Sequence, residues 1–278
     1  MQLKEAIEEV SSRLSAAGIF SHQTDAELLI AHSLGISRGE LITRALSGSE
    51  VSAEVFEPLV RRREAREPLQ HITGKAPFRS FEVAVGLGVF VPRFETEQVV
   101  QLAIDFLRAL PEPGRVVDIG SGSGIIAIAL ALETNAHVSA IENSPEALSW
   151  LRSNLAALAP EVELIAEGFE TALLRLRDLD AVISNPPYIP AAATPIDPEV
   201  HLHDPSAALY SGEDGLDAIR EIVEISPIAL RRGGLLVLEH ADGQSDAVCQ
   251  LLLEETWRAV SVHPDPAGRL RAVTAIRK

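Results

Sequence analysis

Over the first 75 residues apolar side chains recur at helical spacing. Leu3, Ile7 and Val10 form one such stripe, and Leu28, Leu29 and His32 suggest another. The run Asp25-Ala26-Glu27-Leu28-Leu29-Ile30-Ala31 is built of strong helix formers, and Thr24 before it is a candidate cap. A third helix is predicted from about residue 52 to 66, with Pro68 stopping it. Residues 1–75 therefore read as a small helical domain. Between residues 76 and 91 the period changes. Phe78, Phe81, Val83, Val85, Leu87, Val89 and Val91 largely alternate around Gly86 and Gly88, which predicts a β-hairpin linker. From residue 92 to 278 apolar strand runs alternate with helical stretches. The strand candidates are 115–119, 137–141, 162–165, 180–184, 235–239, 259–263 and 271–276. That alternation predicts an α/β domain, a parallel sheet with helices on both faces. There are no internal repeats and no low-complexity tracts.

The first strand candidate runs into Gly120-Ser121-Gly122-Ser123-Gly124, and an apolar helix begins at once. Glycines let backbone adopt positive φ and approach a ligand closely. The helix start adds free N–H groups and a partial positive charge, favourable to a carboxylate or phosphate. The spacing is Gly-x-Gly-x-Gly rather than the Gly-x-Gly-x-x-Gly of dinucleotide folds. A tight strand–helix turn without a ligand is the bland alternative. Glu142 follows the second strand about 20 residues on, where an acidic side chain suits the hydroxyls of a ribose. A plain surface carboxylate is its alternative reading.

The fourth strand candidate leads into Asn185-Pro186-Pro187-Tyr188. Two prolines fix φ and give up two donors, so the loop is stiff. As a bare Asn-Pro pair it would be a strand terminator, but here it follows the fourth strand of a chain whose first strand carries a glycine loop. Its atoms suit an amide nitrogen as reactant. Such a nitrogen is a poor nucleophile because its lone pair is conjugated, with a rotation barrier of about 18–20 kcal/mol. Asn185 offers a side-chain carbonyl as acceptor for one N–H. The Pro186 main-chain carbonyl can take the other, and Tyr188 gives a flat wall beside the nitrogen.

Composition narrows the context. No run approaches the roughly 18 apolar residues that span a bilayer, and the charged N-terminus does not read as a secretory signal. The single cysteine, Cys249, sits in an apolar helical setting and reads as a small core residue. These features predict a cytoplasmic protein without membrane association. The net charge of −16 opposes binding to a phosphate backbone and points to protein partners rather than nucleic acid. The run Arg61-Arg62-Arg63 with Arg66 reads as a solvated helical face, ahead of a handle for an acidic partner. His201 and His203 read as polar loop residues, and no Ser-His-Asp, Cys-His or metal constellation stands out.

Taken in order and spacing, these segments resemble the release-factor glutamine methyltransferase family (HemK/PrmC) over nearly the whole chain. The matching stretches are Arg61–Arg63, 67–74, 91–97, the glycine loop, Asn185–Tyr188, 204–209, 212–216 and 233–239. The resemblance implies a helical N-terminal substrate-binding domain (1–75), the hairpin linker (76–91) and a class I, Rossmann-like, seven-stranded methyltransferase domain (92–278), whose antiparallel seventh strand lies beside the fifth. It implies transfer of a methyl group from S-adenosyl-L-methionine, leaving S-adenosyl-L-homocysteine. The acceptor would be the side-chain nitrogen of the glutamine in the Gly-Gly-Gln loop of class 1 peptide chain release factors. Separately from the resemblance, the protein is expected to be a monomer. By resemblance Gly120, Ser121, Gly122, Ser123, Gly124 and Glu142 bind the donor, Phe169 flanks its adenine, and Asn185 also faces it. Asn185, Pro186, Pro187 and Tyr188 hold the substrate, with Arg93, Thr96 and Glu97 in support.

Two positions depart from the family. Gly168 stands where an acid is usual, with Glu167 before it as a substitute, and Phe94 stands where proline is usual. Three rival readings remain. One is methylation of another translation-protein glutamine. The second is DNA adenine N6-methylation, against which the acidic charge and lack of a basic insert count. The third is a protein that binds donor and factor without turnover.

Overall fold

The computed structural model describes residues 1–278. Five helices come first: α1 (Leu3–Ala16), α2 (His22–Leu34), α3 (Arg38–Leu46), α4 (Ala53–Glu64) and α5 (Leu69–Thr73). A hairpin of β1 (Lys75–Phe78) and β2 (Phe81–Ala84) follows. Then come α6 (Thr96–Arg108), β3 (Arg115–Ile119), α7 (Ile125–Glu133), β4 (His137–Ile141), α8 (Pro145–Leu158) and β5 (Glu163–Ile165). The chain continues through α9 (Phe169–Leu173), β6 (Leu179–Ser184), α10 (Pro198–His203) and α11 (Asp217–Ala229). It ends with β7 (Leu230–Glu239), α12 (Ser245–Leu251), β8 (Trp257–Pro264) and β9 (Leu270–Arg277). No helix is long and apolar enough to cross a membrane.

The chain forms two compact units: Met1–Lys75 with Pro195–His203, and Ala76–Thr194 with Asp204–Lys278. In the first, α1, α2 and α4 enclose a core of Leu3, Leu14, Leu29, Ile30, Phe56 and Val60. The stripe on α2 is not the one predicted. Ala26, Leu29 and Ile30 are buried while His32 is exposed, and Thr24 lies inside the helix, which starts at His22. Gly35 at φ 65° ends α2, its N–H bonding His32 O at 3.1 Å, as a left-handed C-terminal residue does.

The arginine run is not a solvated face throughout. Arg61 and Arg62 are exposed, but Arg63 is only 6 % exposed. Its guanidinium donates to Asp25 Oδ2 at 2.7 Å and to Glu199 Oε1 at 2.7 Å. Arg66 holds the other Glu199 oxygen at 2.5 Å. A charge so enclosed is tolerable only when paired and hydrogen-bonded. Glu199 also belongs to α10, so the segment around His201 and His203 is not a loop, as predicted, but a short helix anchored by this cluster.

The second unit is built on a seven-stranded sheet of order β5-β4-β3-β6-β7-β9-β8. The pairings from β5 to β7 are parallel, and β9 runs antiparallel between β7 and β8. One face packs against α6, α7 and α8 around Val100, Ile104, Ile128 and Leu151, and the hairpin joins this core through Phe78 and Val83. The other face packs against α11 and α12 around Val182, Ile219, Leu236 and Val248. Two-sided burial explains the unbroken apolar runs of β3, β6 and β7. It also explains α7, whose residues Ile125 to Leu130 are all buried. The hairpin is shorter than the alternation through Val91 suggests, since 85–91 forms no strand.

Candidate active site

Strand register assembles the site. Ile119 of β3 pairs with Ile141 of β4 and with Ser184 of β6, and Ser184 pairs with Leu238 of β7. The next residues are Gly120, Glu142, Asn185 and Glu239. Four neighbouring strands thus deliver one residue each to the same carboxyl edge, where open α/β sheets bind ligands. A depression of about 380 Å³ lined by Pro113, Gly114 and Ala136 lies at the opposite edge and holds none of these residues.

The glycine loop adopts φ of 68°, 55° and 90° at Gly120, Gly122 and Gly124. A Cβ on Gly120 or Gly122 would meet nothing within 4 Å, so open space lies over the loop. On Gly124 it would stand 2.7 Å from Leu151 Cδ1, so this glycine serves the packing of α7 on α8. Ser121 and Ser123 are buried, and the Ser121 hydroxyl donates to Asp118 O at 3.2 Å. The Ser123 carbonyl accepts from Asn154 Nδ2 at 2.9 Å.

Glu142 is bound into the same loop. Its Oε2 accepts the Gly122 N–H at 2.9 Å, and Oε1 accepts those of Asn143 and Ser144 at 2.9 and 2.8 Å. Asp118, beneath the loop, is fully buried, and no donor reaches either oxygen with hydrogen-bond geometry. Burial pushes this carboxyl up to about 7; the nearby Ser121 hydroxyl and Ala127 amide oppose the push, and the Glu142 charge reinforces it. An orphaned acid below an open glycine cradle fits a ligand carrying positive charge, as the sulfonium of S-adenosylmethionine does. Phe169, the first residue of α9, is half-buried against the core on that side. Glu167 is engaged by Arg175, whose Nη1 donates to Oε2 at 3.1 Å, so its carboxylate already has a cationic partner.

Asn185 Nδ2 donates to Thr96 Oγ1 at 3.1 Å, and Thr96 Oγ1 donates to Glu239 Oε2 at 2.7 Å. The Tyr188 hydroxyl donates to Glu239 Oε1 at 3.3 Å. Asn185 Oδ1 receives no hydrogen bond from the chain. Pro186 is buried and Pro187 half-buried, and the loop continues into Ile189, which exchanges hydrogen bonds of 2.8 and 2.9 Å with Leu209 and Ser211. Glu239 is 1 % exposed; burial pushes its carboxyl up to about 7 against the opposing hydrogen bonds from Thr96 and Tyr188. Burial and the Glu239 charge together raise the Tyr188 phenol.

Arg93 pairs with Asp204 at 2.6 Å and stacks over the Phe90 ring at 5.0 Å. Phe94 is exposed, and the turn it occupies closes into α6 by Thr96 N–H to Arg93 O at 3.3 Å. Glu97 lies apart from the Asn185 network and accepts from the Arg79 N–H at 3.1 Å. The structure thus brings together the glycine loop, Glu142, Asn185, Thr96 and Tyr188. Two acids escaped the sequence reading, Asp118 and Glu239. Their signal is a single charge set in or closing an otherwise apolar strand.

Comparison with known proteins agrees with this geometry. The PrmC N-terminal domain family matches residues 5–74, and the methyltransferase small domain family matches residues 88–198. The release factor glutamine methyltransferase of Streptomyces coelicolor is 46 % identical over 97 % of this chain and 96 % of its own length. That of Deinococcus radiodurans is 39 % identical over 100 % and 99 %. Among solved structures, the ribosomal protein L11 methylase of Lactobacillus delbrueckii subsp. bulgaricus superposes with a TM-score of 0.50. At 21 % identity, over 70 % of this chain and 85 % of that one, it shares the fold.

Proposed function

Because the chain belongs to the release factor glutamine methyltransferase family, we propose that this edge of the sheet methylates the glutamine of the Gly-Gly-Gln loop in class 1 release factors. S-adenosylmethionine is the methyl donor, and its sulfonium supplies an activated methyl group for in-line displacement. The residues that would hold it are Gly120 to Gly124, Glu142 and Phe169, with Asp118 below as counter-charge. Asn185, Pro186, Pro187 and Tyr188 hold the acceptor, and the helical unit binds the body of the factor.

The observation that carries this reading is the orientation of Asn185. One Nδ2 hydrogen goes to Thr96, which turns the amide so that Oδ1 is left to face a ligand. A carbonyl oxygen there accepts one N–H of a primary amide, and the Pro186 carbonyl accepts the other. With both protons held, the nitrogen lone pair turns toward the incoming methyl, at the expense of amide resonance. Alignment of two reactants in this way lowers a barrier by roughly 7–11 kcal/mol. The Tyr188 ring closes one side, and its hydroxyl is tied to Glu239. No general base is needed before transfer, since the methylated nitrogen is strongly acidic and loses its proton to water.

The test is incubation with labelled donor and a purified class 1 release factor, beside the same factor with its loop glutamine changed. Label on the intact factor alone is expected. Label on both would mean another target residue. Label on neither, but on another translation protein or on duplex DNA, would overturn the release-factor assignment.

A further inference from the structure

Asn185 can serve an amide substrate in only one of its two amide orientations. With Oδ1 outward it accepts an N–H; flipped by 180°, it presents a donor to a donor. Asn185 has no intrinsic preference, because the two ends of its amide are nearly the same size. Something else must fix it.

The fixing element is a chain of hydrogen bonds with a fixed direction. Thr96 has one hydroxyl proton, and at 2.7 Å from Glu239 Oε2 it gives that proton to a carboxylate. A carboxylate is acceptor-only, so the arrangement does not reverse. The Thr96 oxygen is then an acceptor, and the only matching group on Asn185 is Nδ2, found 3.1 Å away. The other Glu239 oxygen accepts from Tyr188, whose ring flanks the same loop. Thr96 is 0 % and Glu239 1 % exposed, so water cannot substitute at either link. These residues come from α6, β7 and the loop after β6, which gives the relay no local explanation as a cap or turn.

We propose that Glu239, acting through Thr96, is the positioning residue that sets the amide orientation of Asn185, and through Tyr188 fixes the wall of the acceptor pocket. This rests on the proposed glutamine methylation, but the orientation itself can be read without any substrate. Replacing Glu239 by Gln leaves one acceptor oxygen for two donors, Thr96 and Tyr188, so the direction of the relay is no longer fixed. Where Nε2 takes the Thr96 side, the hydroxyl turns its proton toward Asn185 and the flipped amide becomes the favoured partner. Replacing Thr96 by Val keeps the shape and removes the link, while Ser keeps the hydroxyl.

The experiment uses full-length wild type, E239Q, T96V and T96S. The chain has four asparagines, Asn135, Asn143, Asn154 and Asn185, so asparagine-selective 15N labelling gives a readable set of side-chain amide signals. Without donor or substrate, the Asn185 amide pair is expected to shift in E239Q and T96V and to return toward the wild-type position in T96S. Unshifted Asn185 signals in both E239Q and T96V would overturn the inference whether or not the protein methylates a release factor. With donor and factor, E239Q and T96V are expected to lose roughly 10- to 100-fold in kcat, the scale of a misplaced reacting group. KM for donor should stay within about twofold, and T96S should recover most of the rate. Equal loss in T96S and T96V, or a loss confined to donor KM, would mean a packing role and refute positioning. A wild type inactive on the factor whose Asn185 signals still respond would refute the release-factor reading and leave the relay standing.

Discussion

The orphaned acid under the glycine loop makes a prediction about stability that needs no substrate. Asp118 is fully buried, lacks hydrogen-bond partners for both oxygens, and has its carboxyl raised from 3.8 to about 7 by burial. Between those two values the unfolded chain has released a proton that the folded chain retains. The stability this group contributes is therefore complete below about 3.8 and is lost as pH rises through about 7. The whole shift corresponds to about 4 kcal/mol, of which roughly 2 kcal/mol develops between pH 5.5 and 8.5. Asp118→Asn keeps the shape and removes the titration. Its stability relative to wild type should thus rise by about 2 kcal/mol between those pH values. Urea unfolding followed by tryptophan fluorescence is the assay, because Trp150 and Trp257, the only tryptophans, lie in the same unit as Asp118. Other titrating groups are common to both proteins and cancel in the difference. A difference that stays constant within about 0.5 kcal/mol would refute the reasoning and mean that Asp118 is ionised and solvated in the folded state.

Glu239 is held up to about 7 chiefly by burial, with Thr96, Tyr188 and Arg271 favouring the carboxylate and Glu95 opposing it. Turnover in the wild type should therefore fall as pH drops through about 7, and this limb should be missing from the pH–kcat profile of E239Q. Arg63→Ala strands Asp25, leaves Glu199 with Arg66 as its remaining cation, and should destabilise the helical unit by about 3 kcal/mol, read as lost hydrogen-exchange protection in α2 and α4. Unchanged protection would mean that water replaces the guanidinium. Gly124→Ala combines a left-handed backbone at φ 90°, costing about 1–2 kcal/mol, with a Cβ 2.7 Å from Leu151 Cδ1. Urea denaturation should show a loss beyond the backbone cost alone, and in a Leu151→Ala background the same substitution should cost less, as a double-mutant cycle reads.

Much of this fold was legible because period and burial coincide. The strands at 115–119 and 137–141 are flanked by helices on both faces, so their apolar runs start and stop where the sheet does. The arginine run departs from the expected solvated face because charge on a helix says nothing of what meets it. The partners of Arg63 are Asp25, 38 residues away, and Glu199, 136 residues away. The stripe on α2 was displaced for a related reason. Asp25 and Glu27 are buried in ion pairs with Arg63 and Arg38, and periodicity scores them as polar. At the site, Gly120, Glu142 and Asn185 were found because each follows an apolar strand. The relay through Thr96 was not, since it depends on the meeting of α6 with β7, which local pattern does not encode.

Two groups of buried charges contrast in this protein, and the contrast separates a structural from a functional account of the sheet edge. Arg63 is enclosed with two carboxylates, and Asp265 has Arg269 at 2.9 Å. Such pairs hold the fold, and removing one partner costs stability. Asp118 and Glu239 are as deeply buried, yet neither has a paired cation in contact, and both lie at the carboxyl edge of the sheet. Each costs the folded state free energy above neutral pH, a burden the fold could shed by an amide of the same size. If they were there for stability, Asp118→Asn and Glu239→Gln would weaken the protein at pH 8. If they are there for the ligand and for Asn185, both substitutions should leave the protein as stable or more so at pH 8. Asp118→Asn should then weaken donor binding, and Glu239→Gln should slow transfer at unchanged donor affinity. Opposite signs for stability and function at the same two residues would identify this edge as strained in the service of its chemistry.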